Sequence, residues 1–220
     1  MTMERNLVHP VIRVADPDAA AGWMRENLFF RQTEIPNVVE NGTCRLEFVR
    51  EAAQPWGCAA PGQYHTGPEH VALRTGDIRA ALEHCRSRGI EPNLPDGQAR
   101  FNPKVYGGGE YYFNFMTPFG LLIEISQRLD QPHYGETALI QGLDHIGVPS
   151  ENLEVRMKEL TGQGFGEEFA PVHNYNDQEG NILCCMMRRE DLVLEVYQFA
   201  DMTPSGRAAS GCLTLPGVRL

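Results

Sequence analysis

Apolar and polar residues alternate in short runs along this chain, and three of the runs lead into the same sequel. From Leu7 to Val14, His9, Val11 and Arg13 fall on one face of a predicted strand, and Val8, Ile12 and Val14 fall on the other. Asp16 and Pro17 follow as a helix N-cap and a proline at the first helical position. Ala20, Trp23, Met24 and Leu28 then recur at helical spacing. The segment EHVALRTGDIRAALEHCRSRG from Glu69 repeats the scheme, with a strand His70–Thr75 and a helix from about Asp77 to Arg88 that Gly89 stops. A third copy, DHIGVPSENLEVRMKELTGQG from Asp144, predicts a strand Leu143–Val148 and a helix near Asn152–Leu160, with Gly162 and Gly164 as breakers.

Each helix is followed by further strand signals. Asn41–Gly42 is a turn ahead of the strand Thr43–Arg50. Gly107–Gly109 precedes Glu110–Met116, and Thr117-Pro118-Phe119-Gly120 turns the chain into Leu121–Ser126. In the third copy, strands are expected near residues 166–172, 182–188 and 192–199, joined by turns at 177–180 and 190–191. The predicted fold is α+β: three βαβββ modules whose curved mixed sheets surround a metal-binding cup. The expected boundaries are 1–66 (a first module, shortened, plus a linker rich in Pro, Gly and Ala), 67–130 (second), 140–200 (third) and 201–220 (an irregular tail).

Composition narrows the partners. The net charge is −10, which argues against nucleic acid or an anionic membrane surface, since both demand a basic face. No apolar run approaches the length of a membrane span, and the N-terminus has no apolar stretch of signal-peptide length. Cys44, Cys58, Cys85, Cys184, Cys185 and Cys212 show neither metal-finger spacing nor a dense disulfide pattern. Reduced thiols in a cytoplasmic protein are therefore expected.

The candidate chemistry lies in the repeat itself. Each copy opens with a histidine (His9, His70, His145), and each ends on a glutamate inside an apolar strand (Glu47, Glu124, Glu195). Alternation directs these six side chains to the sheet faces away from the helices. Imidazole and carboxylate together suit a divalent Fe, Mn, Ni, Co or Zn ion. A buried carboxylate also needs a partner, because an unpaired one is costly. His65, His84, His133 and His173 fall in loops or on a helix and are not expected to be ligands.

With these residues in hand, the chain resembles the vicinal oxygen chelate superfamily: glyoxalase I, bleomycin-resistance proteins and extradiol dioxygenases. His9-Pro-Val-Ile-Arg-Val-Ala-Asp-Pro17 is similar to the opening strand of glyoxalase I. Glu69-His-Val-Ala-Leu73 is similar to the start of its second module, and Thr117-Pro-Phe-Gly-Leu-Leu-Ile-Glu124 to the turn before its last glutamate. The resemblance implies that two modules close one cup around one metal ion. Two pairings are open, and both use His70 and Glu124. Joining the first and second copies gives His9, His70 and Glu124 as ligands, with Glu47 and Glu124 as proton carriers. Arg13 and Arg74, each four residues after its histidine, would then hold an acidic substrate. Joining the second and third copies brings in His145 and Glu195 instead. The shorter His9–Glu47 spacing counts against the first pairing and the two arginines count for it; the first is the expectation carried forward. The leftover module is expected to be buried in a homodimer.

Three functions follow from the resemblance. The first is a metal-dependent isomerase, lyase or epimerase that chelates neighbouring oxygens of a small acidic substrate and moves a proton through an enediolate. The second is an Fe(II) extradiol dioxygenase, although Asn114 replaces the tyrosine expected three residues before Thr117. The third is a metal-free binding protein in which Trp56, Tyr64 and Tyr106 stack on a flat ligand.

Overall fold

The computed structural model describes residues 9–51, 60–94, 96–131, 138–176, 180–208 and 213–220. Trp56, Cys58, His133, Cys212 and most of the predicted 177–180 turn lie outside these residues, as does the start of the first predicted strand. The first repeat contains β1 (Val11–Val14), α1 (Pro17–Asn27), β2 (Arg31–Gln32), β3 (Val38–Asn41) and β4 (Cys44–Arg50). After β5 (Gln63–Thr66), the second repeat holds β6 (His70–Thr75), α2 (Ile78–Ser87), β7 (Arg100–Asn102), β8 (Glu110–Met116) and β9 (Leu122–Arg128). The third runs through β10 (Ile140–Pro149), α3 (Leu153–Thr161), β11 (Gly166–Glu167), β12 (Val172–Asn176), β13 (Gly180–Arg189) and β14 (Leu192–Phe199). The tail expected to be irregular carries β15 (Thr203–Ala208) and β16 (Leu213–Thr214).

Local chemistry explains the boundaries. Asp16, Asp77 and Asn152 each cap a helix by accepting backbone N–H bonds of 3.0–3.2 Å from the first turn. The first repeat fits two strands into a short span because β2 has only two residues. The turn to β3 closes tightly, with Thr33 N donating to Val38 O and Asn37 in the left-handed region (φ 60°).

The strand ladder decides how the repeats combine. A nine-stranded mixed sheet runs β11-β13-β14-β10-β6-β9-β8-β7, with β12 beside β13. Its central joint is the antiparallel pair β6–β10, so the second and third repeats share one curved sheet. The first repeat forms a separate sheet, ordered β16-β1-β4-β3-β2. There the tail strand β16 pairs antiparallel with β1 and occupies the edge that β10 covers on β6. All three repeats keep one register. The residue two after each histidine (Val11, Ala72, Gly147) lies opposite the glutamate of the same repeat (Glu47, Glu124, Glu195) across a parallel ladder.

One apolar cluster runs through all three repeats and includes Ile12, Met24, Phe48, Leu73, Phe113, Ile125 and Val148. Trp23 of α1 stacks edge-on against Phe119 with centroids 5.8 Å apart, so the first helix packs on the turn between β8 and β9. Asn41 Nδ2 donates to Leu28 O (2.9 Å) and Ile140 O (3.0 Å), tying the first sheet to β10. β16 thus covers one edge of the first repeat's sheet, and α1 packs against the second repeat.

Candidate metal centre

The first strands of the second and third repeats lie side by side, and their histidines meet. His70 and His145 are 4% and 1% exposed, and their Nε2 atoms are 3.3 Å apart. Glu124 on β9 brings Oε1 to 3.5 Å from His145 Nε2. Glu195 on β14 brings Oε2 to 3.5 Å from His145 Nε2 and 3.6 Å from His70 Nε2. His70, Glu124 and His145 offer three donor atoms that all lie within 4.8 Å of one another, a spacing one ion can span.

Each of these two histidines is held from behind by the acidic residue that precedes it. Asp144 Oδ1 contacts His145 Nδ1 at 3.1 Å, and Glu69 Oε2 contacts His70 Nδ1 at 3.5 Å. Carboxylates on the far ring nitrogen direct Nε2 into the cup. Adjacent strand residues ordinarily face opposite ways, but β10 shifts register between Leu143 and Ile146, so Asp144 and His145 together oppose Ala72. Asp144 accepts a further bond from Tyr106 Oη (3.1 Å), and Glu69 accepts one from Tyr197 Oη. Arg74 Nε forms an ion pair with Asp144 Oδ2 at 2.9 Å. On the other side of the pair of rings, a Cβ on Gly147 would lie 2.0 Å from His70 Cε1, so the imidazole needs glycine beneath it.

The electrostatics call for a cation. Burial pushes the Glu124 carboxyl well above its ordinary value; His145 opposes the shift, and Glu110, Glu195 and Asp144 add to it. Glu110, in the same cavity, is raised to about 8 by burial, with His145 again opposing. Burial works against a charged His145, yet its hydrogen bonds to Asp144 and Glu195 and the nearby carboxylates hold its pKa well above normal. Asp144 would also be raised by burial, but the His145 bond and the His145, Arg74 and Arg128 cations hold it at about 2. Two imidazoles and two carboxylates converging from four strands form a donor set that fits a divalent ion of the Fe-to-Zn series.

The structure brings the second and third repeats together, not the first and second as expected. His9 and Glu47 face each other at 3.1 Å beside the five-stranded sheet, and neither lines this cup; Glu195 lines it, and His145 stands next to His70. The physical reason is the ladder: β6 has β10 on its free edge, whereas β1 has β16. The arginines do not line the cup either. Arg13 pairs with Glu51 at 2.7 Å beside the first sheet, and Arg74 is drawn onto Asp144. Of the aromatic candidates, Tyr106 holds Asp144, while Tyr64 donates to Ser150 O. Glu69, Glu110, Asp144 and Gly147 went unnoticed as site residues. One signal for them lies in the open: an acidic residue precedes His70 and His145, whereas Val8 precedes His9.

The Glyoxalase/Bleomycin resistance protein/Dioxygenase superfamily matches residues 6–125. The chain belongs to that superfamily. The matched span covers the first two repeats, whereas the β6–β10 ladder joins the second and third. Glyoxalase I from Zea mays is 20% identical and superimposes with a TM-score of 0.60 over 90% of this chain and 68% of that one. A candidate dioxygenase from Bacillus subtilis subsp. subtilis str. 168 is 18% identical, with a TM-score of 0.56 over 94% of this chain and 67% of that one. Identities this low establish a shared fold and leave the reaction to the site. No curated protein matches the sequence. No helix among the described residues is long and apolar enough to cross a membrane.

Proposed function

We propose that the chain is a divalent-metal-dependent enzyme of glyoxalase type, an isomerase, lyase or epimerase acting on a small molecule with neighbouring oxygens. The carrying observation is that His70, Glu124 and His145 bring donor atoms within 4.8 Å of one another, with Glu195 beside both histidines. These four would hold the ion, which when bound polarises two adjacent oxygens and makes the neighbouring C–H more acidic. The protein's own part is positional. Glu69 and Asp144 fix the two imidazoles, and the carboxylates of Glu124 and Glu195 approach the centre from different strands, placed to take up and return a proton. Leu122, Ile182 and Phe199 form an apolar wall that limits water at the reacting carbon. Because neither Arg13 nor Arg74 lines the cup, the acidic substrate expected from those arginines lacks its anchor.

Metal analysis of full-length protein purified without chelator tests this reading. About one Fe, Mn, Ni, Co or Zn ion per chain is expected, lost in His70→Ala and His145→Ala and kept in His9→Ala. Protein that carries no metal and takes up none would sink the proposal.

A second reading, an extradiol dioxygenase, draws support from the two-His, one-carboxylate group of His70, His145 and Glu124. Catechol-dependent oxygen uptake by Fe(II)-loaded protein would favour it. Glu195, which approaches both histidines as a second carboxylate, favours the first reading.

A further inference from the structure

We propose that the cup selects a neutral or cationic ligand that donates hydrogen bonds, and that Glu110 is the residue that sets this preference. The inference rests on the metal-centre reading above and names the class of molecule that centre receives.

The lining carries the case. Besides His70, Glu124 and Glu195, the cup presents Glu69, Asn102, Glu110, Tyr112 and Asn114, and its described lining contains no Arg or Lys. The two nearby cations are engaged behind the wall. Arg74 is held by Asp144. Arg128 makes a forked contact with Asp130 at 3.0 and 2.7 Å and lies over the Tyr106 ring at 3.6 Å. Burial raises Glu110 to about 8, and a divalent ion at Glu124 and Glu195 would lower it again, so that the carboxylates of Glu69 and Glu110 face the cavity as anions. An anion entering there would lose water and meet like charge with no compensating cation.

The same wall offers acceptors. Glu110 is 3% exposed and takes a 2.9 Å bond from Ser126 Oγ on Oε2. Asn114 sits opposite Glu124 in the β8–β9 ladder, and its buried Oδ1 has no partner among the described residues. A ligand whose oxygens reach the centre while its N–H or O–H groups reach Glu110 and Asn114 would complete both. The cavity holds about 130 Å³, room for a ligand on the order of a benzene ring in size.

Lactamide and lactate test the assignment. They match in shape and both carry neighbouring oxygens, but only lactate is an anion. Affinities are measured on Mn(II)-loaded full-length protein and compared with the preference of aqueous Mn(II). The wild-type protein is expected to shift the balance toward lactamide by about tenfold relative to the aqueous ion. Glu110→Gln should move it back toward lactate with metal content unchanged, and Glu110→Asp should keep the wild-type balance. Asn114→Asp adds a carboxylate to the same wall and should push further toward lactamide, which preserves the test if Glu110→Gln fails to fold. Wild-type protein that favours lactate as strongly as aqueous Mn(II) overturns the proposal, as does an unchanged balance in folded Glu110→Gln. Protein that loads Mn(II) but shows no shift from the aqueous preference overturns this inference alone; protein that loads no metal overturns the centre with it.

Discussion

The Nε2 atoms of His70 and His145 face each other at 3.3 Å across the joint between the second and third repeats. Two N–H groups aimed at one another repel, so the contact requires at least one bare lone pair. Burial works against charge on His145, but its hydrogen bonds to Asp144 and Glu195 and the nearby carboxylates raise its pKa well above the ordinary imidazole value, which favours the protonated ring. Metal uptake must displace that proton. Affinity should therefore weaken as pH falls, and binding should release protons at neutral pH. Calorimetric titration with Zn(II) in two buffers of different ionisation enthalpy is expected to give different heats; equal heats would refute the protonated His145.

Gly147 is predicted to be intolerant of a side chain. Its added Cβ would meet the His70 ring at 2.0 to 2.4 Å, so Gly147→Ala must displace a proposed ligand. Overpacking of this kind costs about 1–3 kcal/mol, and the loss should appear chiefly in metal affinity. Gly166→Ala, where nothing lies within 4 Å of the new methyl, serves as the control and should bind metal normally.

Asp144 should act through His145. Asp144→Asn keeps the shape but offers a weaker acceptor to Nδ1 and leaves Arg74 without its carboxylate. Loss of such a supporting partner lowers metal affinity about 10–100-fold. An Asp144→Asn protein with unchanged metal affinity would mean the imidazole is held by other contacts.

Asn41 joins the two sheets through paired bonds to Leu28 O and Ile140 O, both buried. Asn41→Ala leaves two carbonyls without that donor and should destabilise the fold by roughly 1–3 kcal/mol, read as a lower urea midpoint. Metal content should stay unchanged, because neither bond reaches the cup.

Much of the fold is legible in the residues themselves. Asp16-Pro17 and Asp77 start helices where the sequence says they should, because capping is chemistry between neighbours. The strand at Glu110–Met116 and the hairpin after it follow from alternation and from the Thr117–Gly120 turn. Two short strands in the first repeat are harder to see, since β2 has only two residues and shows no period. The tail strand β16 is equally hidden: Leu213 and Thr214 become a strand because β1 offers them an edge.

Sequence by itself determined the repeat, its register and the residue types of the site, since all of these depend on periodicities of a few residues. His70 and Glu124 belong to the cup under either pairing of the repeats. Which neighbour completes it was decided by tertiary structure. The free edge of β6 could be met by the first or the third repeat, and the antiparallel β6–β10 ladder brings in His145 and Glu195. That choice strands His9 with Glu47 in another sheet and turns Arg74 from a candidate substrate anchor into a partner of Asp144. Strand-edge pairing is a long-range competition between surfaces that each segment offers equally well alone, so no local pattern ranks the outcomes.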